Sequence, residues 1–599
     1  MPDHEVHEFD VIVIGAGGAG LRAAIEAHAQ GAKTAIICKS LLGKAHTVMA
    51  EGGVAAALGT VYPEDNWEVH FRDTMRGGKM LNNWRMAQIH AQEAPDRVLE
   101  LEEWGALFDR TDDGRILQRD FGGHRYARLA HVGDRTGLEM IRTLQQKAVA
   151  SGIDVFMECT IVRLLKDGEK IAGAFGYWRE WGKFVEFKAP AVILATGGVG
   201  KAYKITSNSW EYTGDGHSLG LWAGAELIDM EFLQFHPTGM VWPPSVRGIL
   251  VTEGVRGDGG ILRNAENERF MFRYIPEMFK AETADSEEEA DRWYTDRKGA
   301  PRRPPDLLPR DEVARAIVAE IKEGRGTPHG GIYLDIASRR DAADITRLLP
   351  GMYHQFKELA DVDITKEPME IGPTCHYMMG GLKVDAVTAA ATVPGLFAAG
   401  EVAAGMHGAN RLGGNSLSDL LVFGRRAGLH AAEYAGAVAG RPEATPDQAE
   451  EIAKQALAPF ERTDGENPYS LQKELQDTMH ELVGIIRTED ELTRGLKKLD
   501  ELKDRATRAT AEGNRMYNPG WHLALDLKSM LTISEVITLA ALERKESRGA
   551  HTREDHPGTD AEFAKVNVVV RQKDGEPYVE QAPLEPLPQE LREIVERTS

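Results

Sequence analysis

The chain has 599 residues, 42% of them hydrophobic and 27% charged, with a net charge of −22 at pH 7. This length allows roughly four domains and a large core, and the composition is that of a globular protein. The acidic balance argues against a nucleic-acid partner, no run nears the ~18 apolar residues of a membrane span, and the acidic start from Met1 to Glu8 has no apolar export core.

Residues 9–14 form an apolar, β-branched run, expected as a buried parallel strand. Gly15-Ala16-Gly17-Gly18-Ala19-Gly20 follows at once, then a helix over 21–30 ended by Gly31, then a second strand over 33–38. In this βαβ setting Gly15 makes the tight turn and Gly17 lets a pyrophosphate approach. Gly20 lets the helix pack on the strand, with the phosphates on the helix N-terminus. The second strand ends in Lys39-Ser40, where an NAD site wants an acidic residue for a ribose hydroxyl. A flavin dinucleotide is therefore the better fit.

Residues 41–53 hold His46-Thr47 among small residues and end in Gly52-Gly53, a pair that lets backbone press against a flat ligand. His46 reads either as a loop histidine satisfied by backbone groups or as a neighbour of that ligand. Residues 67–105 read as one helical stretch with Trp84, Met86, Ile89 and His90 on its core face, and Phe121-Gly122-Gly123-His124 as a turn. Asp134-Arg135-Thr136-Gly137 is expected to cap the next helix. Residues 155–165 and 171–178 look like strands of a smaller sheet. Residues 191–195 form a buried return strand entering Thr196-Gly197-Gly198, and Thr213-Gly214-Asp215-Gly216 continues that floor.

His236, Thr252, Glu253 and Arg256 stand on glycine-flanked loops, an arrangement suited to capturing a carboxylate with a proton route beside it. Singly, each also reads as a solvated loop group. Residues 281–310 are acidic, then basic and proline-rich, and their first part is expected as an exposed insertion prone to disorder. Arg310-Asp311-Glu312 opens a helix to about residue 320, with its acids in the first turn. His376 lies before a second Gly-Gly pair, residues 396–400 enter glycine before Glu401, and Arg411 precedes Ser416-Leu417 and a helix. Residues 433–546 read as amphipathic helices, and the tail after 547 as irregular with one strand at 566–570. Cys38, Cys159 and Cys375 are far apart, with no disulfide, zinc or iron–sulfur spacing, and read as buried thiols.

Taken together, these motifs resemble the flavoprotein subunit of succinate dehydrogenase and fumarate reductase over nearly the whole length. They are 15–20, His46-Thr47 with Gly52-Gly53, 195–198, 213–216, 236–239, 252–257, Arg310-Asp311, 376–381, 411–417 and 546–551. The resemblance implies an α/β fold: a two-lobed Rossmann-like FAD-binding domain (1–235 and 351–431), a capping domain inserted at 236–350, a helical domain (432–546) and a tail (547–599). It implies FAD on Gly15, Ala16, Gly17, Gly18, Ala19 and Gly20, tethered covalently through a ring nitrogen of His46. Lys39, Ser40, Thr47, Gly52, Gly53, Thr196, Gly197, Asp215, Glu401, Ser416 and Leu417 line it further. The dicarboxylate is held by His236, Thr252, His376 and Arg411, and Arg310 exchanges the proton through Glu253 and Arg256.

No metal site is expected in this chain. The implied partners are an iron–sulfur protein subunit, together with a membrane anchor that carries a quinone site, the chain being peripheral on the cytoplasmic or matrix side. The sequence departs from the family in Ala45, where serine is common, and in a long 281–308 stretch. Fumarate reductase is the alternative direction. An L-aspartate oxidase would lack His46, and a simple flavin electron carrier leaves both histidine loops and Arg411 unexplained.

Overall fold

Val11–Ile14 lies wholly buried at the centre of a five-stranded parallel sheet. In this computed structural model, which describes residues 4–296 and 301–597, the strand order is Leu396–Ala398, Ala191–Leu194, Val11–Ile14, Thr34–Ile37, Asp154–Phe156. Runs of Val, Ile and Ala suit strands covered on both faces. Helices Gly18–Ala29 and Asn415–Ala437 cross the sheet in close contact: a Cβ on Gly428 would stand 2.2 Å from the Ala23 carbonyl oxygen. Gly18–Ala29 begins where Val11–Ile14 ends, which puts its N-terminus at the edge of the cleft described below.

The stretch 155–165 is not one strand. Asp154–Phe156 joins the parallel sheet and Cys159–Asp167 joins a four-stranded sheet with Lys170–Trp178, Phe184–Lys188 and His4–Glu8. Glu158, at φ 54°, turns the corner between them. Residues 67–105 are likewise two helices, Trp67–Gly77 and Trp84–Glu103, each opened by an asparagine whose side chain accepts from the first-turn amides. Lys79 and Met80 both have positive φ at the break, and Gly77-Gly78 is the sequence signal for it. Asp134 does not cap the helix that follows it, Thr136–Ala150. Its carboxylate accepts from the Gly351 amide at 2.8 Å and so ties the body to the cap.

The cap has its own apolar cluster, reaching from Met240 to Ile371, under the sheet Leu233–Met240, Met369–Met378, Ile332–Asp335, Ile261–Arg263. The expected boundary at 350 falls at the first residue of helix Pro350–Ala360, whose Met352 and Phe356 belong to that cluster. The expected insertion is half exposed over 281–296, though it carries a helix, and packed over 301–310; residues 297–300 lie outside the described residues. Helix Glu287–Thr295 is capped by Ser286, and Ala284 and Ala290 are fully buried. The buried Asp306 carboxylate takes the Arg269 guanidinium and the Leu262 amide.

Helices Pro446–Glu461, Pro468–Leu482, Glu489–Ala506 and Pro519–Glu543 form the expected helical layer. The tail is more regular than expected. Val566–Lys573 pairs with a second strand, Glu576–Pro583, and helix Gln589–Glu596 sets Leu591, Ile594 and Val595 on Phe71 and Met75. The polar surface of the second strand hides it from an alternation test. Among the described residues no helix is long and apolar enough to cross a membrane.

Candidate active site

A cleft partly open to solvent runs past the C-terminal ends of the parallel strands, where ligands bind in open α/β sheets. Its walls take in residues 14–19, Lys39, Ser40 and 159–161 toward one end, and His46, His236, His376 and Arg411 toward the other. The glycine turn is built for close approach. A Cβ on Gly15 would stand 2.1 Å from the Ala195 oxygen, and one on Gly20 2.0 Å from the Gly15 oxygen. Gly17, by contrast, leaves its Cβ position free apart from Thr47 Oγ1 at 3.4 Å. The helix that follows has no side-chain cap; Thr47 Oγ1 accepts from the Gly18 amide at 3.3 Å. Beyond that amide the first turn is left for an anion, as a pyrophosphate requires.

The other residues expected to hold the cofactor also line this cleft, with one qualification. Gly53 (φ 130°) and Gly197 (φ 74°) hold backbone conformations that favour glycine. Thr196 Oγ1 accepts from the Gly216 amide at 3.1 Å, and Ser416 and Leu417 open the long helix. Glu401 Oε1 accepts from the Met378 amide at 2.9 Å, and burial raises its carboxyl to about 7. The qualification is Lys39. It is on the wall, but its ammonium is spent on Thr213 (2.8 Å), Asp215 (3.0 Å) and Asp526 (2.8 Å). It neutralises acids rather than offering a free charge to a phosphate.

His46 opens a short 3-10 turn, His46–Met49. Its ring lies edge-on to Tyr212 at 4.8 Å, its Nε2 is 3.3 Å from Asn208 Nδ2, and its Nδ1 is buried without a partner. Burial lowers its pKa to about 4, with Lys201 and Arg411 adding to the effect. The imidazole is neutral at pH 7, and a nitrogen lone pair is available as a nucleophile.

At this end of the cleft the expected substrate residues converge. His236 and His376 stand edge-on at 5.2 Å. The Thr238 backbone engages His236 Nδ1, its carbonyl at 3.0 Å, and Ser207 Oγ engages His376 Nδ1 at 2.8 Å. Each ring keeps its Nε2 for the cleft. Arg411 lies over the Tyr377 ring at 4.1 Å and donates through Nε and Nη2 to Gln234 Oε1 (3.3 and 2.9 Å) and through Nη1 to Ser416. The edge expected to grip a carboxylate is thus held by Gln234 in this structure. Burial, reinforced by Arg310, lowers Arg411 to about 10.

Arg310, the first residue of helix Arg310–Lys322, donates from Nε to Glu253 Oε2 at 3.0 Å. Glu253 Oε2 is also 3.9 Å from Arg256 Nη2. Arg256 lies behind Glu253, off the cleft wall, with Nη1 donating to the Asp306 carbonyl at 2.6 Å. Burial alone would raise the Glu253 carboxyl, but Arg310 and Arg256 hold it below its ordinary value. The order along the contact is Arg310, Glu253, Arg256.

The sequence motifs assign no role to Gln234, Tyr377, Ser207, Asn208, Tyr212, Phe121 or Glu51, all of which touch these groups or line the cleft. Gln234 and Tyr377 stand within or beside those motifs, so adjacency is the available signal. Tyr212, directly before 213–216, shares that signal, whereas Ser207 and Asn208 have none. Glu51 lines the cleft with Oε2 buried and unpartnered, and burial with the Asp134 charge raises it to about 8.

Residues 10–417 match the FAD binding domain family, and residues 472–595 match the fumarate reductase flavoprotein C-terminal family. The chain is 43% identical to one of the chains of the CoM/CoB fumarate reductase of Methanothermobacter marburgensis, covering 95% of this chain and 98% of that one. It is 39% identical to the succinate dehydrogenase flavoprotein subunit of Coxiella burnetii, covering 95% and 96%. Among solved structures, a chain of Mycobacterium smegmatis Sdh1, in complex with UQ1, superposes with a TM-score of 0.86 at 59% identity, covering 97% and 95%. A glycine cradle, a neutral histidine and a buried cationic pocket along one cleft agree with these likenesses: the chain belongs to the FAD-dependent flavoprotein subunits of succinate dehydrogenases and fumarate reductases.

Proposed function

We propose that this chain oxidises succinate to fumarate on FAD tethered through His46 and passes the electrons to an iron–sulfur subunit joined to a quinone-binding membrane anchor. The observation that carries the reading is the convergence of His236, Thr252, His376, Arg411 and Arg310 on the cleft that His46 and the glycine cradle also line. Bound FAD supplies the acceptor for a hydride from one succinate carbon. Residues 15–20, Thr47, Thr196, Gly197, Glu401, Ser416 and Leu417 would hold it, and His46 beside them supplies a neutral imidazole as the nucleophile for the tether.

The dianionic substrate is held by the two histidine rings, the Thr252 hydroxyl and Arg411. Charge drawn onto one carboxylate makes the neighbouring C–H more acidic. Arg310 removes that hydrogen as a proton. A guanidinium can act as a base only after losing its own proton, and Glu253 at 3.0 Å receives it. Arg256 keeps Glu253 ionised between turnovers. Fumarate reduction runs the same steps in reverse.

Three cysteines, all buried, leave the chain with no cluster ligands. Electrons leave through a partner. Leu41, Met49, Trp210 and Met157 are exposed on segments that line the cleft or directly adjoin its lining, where a partner would have to approach. The membrane side is cytoplasmic, or matrix in a mitochondrion.

The test is anaerobic mixing of the assembled complex with succinate, with malonate as competitor. Flavin absorbance should bleach with succinate and not with L-aspartate. Bleaching by L-aspartate alone overturns the assignment.

A further inference from the structure

The seam between cap and body carries a set of contacts that the reaction itself does not call for. Helix Arg310–Lys322 places Arg310 first, Asp311 next and Arg315 one turn on. Asp311 Oδ1 accepts from Asn410 Nδ2 at 3.2 Å, and Asn410 is the residue before Arg411. Arg315 Nη1 donates to the Gly549 carbonyl at 3.3 Å and to the Thr552 hydroxyl at 3.2 Å. Its Nη2 lies 2.6 Å from Glu312 and 3.5 Å from Asp311.

The tail turn that Arg315 grips is itself seated on the Arg411 loop. The Ala550 amide donates to the Ala409 carbonyl at 3.0 Å. Gly549 has φ 54°, and a Cβ there would stand 2.3 Å from the same oxygen. Cap helix, Arg411 loop and tail turn therefore meet at one node, beside both cleft arginines and outside the cleft.

Such a node meets a physical need. Arg310 and Arg411 carry like charges and feel one another in a buried site. Without a dianion between them, that repulsion opposes closure of the cap. Contacts elsewhere on the seam must offset it, and they must also fix the helix closely enough for Arg310 to reach the substrate, since small misplacements of a reacting group are costly. Arg315 suits this task. Its planar fork spans two acceptors on the tail turn and two acids on its own helix, which an ammonium on a flexible stem cannot do together.

We propose that Arg315 is a positioning residue, latching the cap helix onto the Gly549 and Thr552 turn and so setting Arg310 opposite Arg411. The inference rests on the reading of Arg310 as the proton-transfer residue, and its test separates the two.

The experiment compares Arg315→Ala, Arg315→Lys and Thr552→Val in the assembled, flavin-loaded complex, with Arg310→Lys as reference. Arg315→Ala should lower kcat by about tenfold while malonate affinity shifts by only about twofold, the split expected when positioning rather than ground-state binding is lost. Arg315→Lys should recover part of that loss, and Thr552→Val should show a smaller one. Amide hydrogen exchange over residues 310–322 should quicken in Arg315→Ala, whatever chemistry Arg310 performs. Unchanged kcat and unchanged exchange there, with only a lower melting temperature, overturn the latch. If Arg310→Lys keeps full kcat while exchange over 310–322 still quickens in Arg315→Ala, the base assignment falls and the latch stands.

Discussion

Lysine at 310 and lysine at 411 should fail in different ways, and the geometry sets the size of each failure. Arg310 reaches Glu253 Oε2 through Nε at 3.0 Å and passes over the Phe121 ring at 5.6 Å. A lysine keeps the charge but not the lateral Nε donor, so the proton route to Glu253 is broken. Loss of a general acid–base partner costs at least ~10²-fold in kcat, about 2.7 kcal/mol in the barrier. Arg411 makes hydrogen bonds to Gln234 and Ser416 and lies over the Tyr377 ring at 4.1 Å. Its lysine variant keeps attraction for a carboxylate and loses the fork. KM should rise about tenfold or more, roughly 1.4 kcal/mol if KM tracks binding. Steady-state kinetics of both variants in the assembled complex, beside malonate titration, separates the cases. If Arg310→Lys keeps kcat and loses only malonate affinity, Arg310 binds substrate and the proton-transfer role is refuted.

Acid precipitation of the wild-type protein should leave flavin in the pellet, whereas His46→Ser should release it and impair succinate oxidation more than fumarate reduction. Yellow colour wholly in the wild-type supernatant rejects the tether. Glu51, raised to about 8 by burial, is neutral at pH 7 and gains a negative charge as pH rises through that value. Malonate affinity should therefore fall across that rise, and Glu51→Gln should flatten this part of the profile; an unchanged profile sinks the assignment. The purified single chain should reduce quinone not at all with succinate, since it has no cluster ligands of its own. Rapid quinone reduction by it removes the need for a partner.

Local order was the legible part of this sequence. The strand, glycine turn and helix over 11–29 declare themselves because apolar runs and a glycine turn are local signals. The meeting of His46, His236, His376 and Arg411 is not local: those residues span more than half the chain, and motif resemblance alone joined them. What stayed hidden is what tertiary contact decides. Asp134 has the sequence look of a helix cap, yet its carboxylate is held by Gly351, 217 residues away. The stretch after 281 reads as disorder-prone by charge and proline content. Some of its charges are in fact paired, Asp306 with Arg269 in the interior and Arg302 with Glu289 nearer the surface. Composition counts charges, but only the fold shows which of them cancel.

That cancellation also explains how an acidic protein holds a dianion. The net charge of −22 is a surface property, and the inner end of the cleft is its opposite. There Arg310 and Arg411 meet His236 and His376, while Glu253 offsets Arg310 and Arg256, and the raised Glu51 stays neutral at pH 7. Both histidines sit well below their ordinary pKa, first through burial and then through the arginines beside them. In the proposed reading they meet a carboxylate as hydrogen-bonding groups rather than as cations. The same neutrality limits the excess positive charge to what a dicarboxylate can balance, and a second fixed anion in place of the substrate would remove the incentive to bind it. The site is thus electrostatically incomplete without its ligand, and the seam contacts of Arg315 and Asp311, outside the cleft, are what the proposed latch sets against the repulsion there.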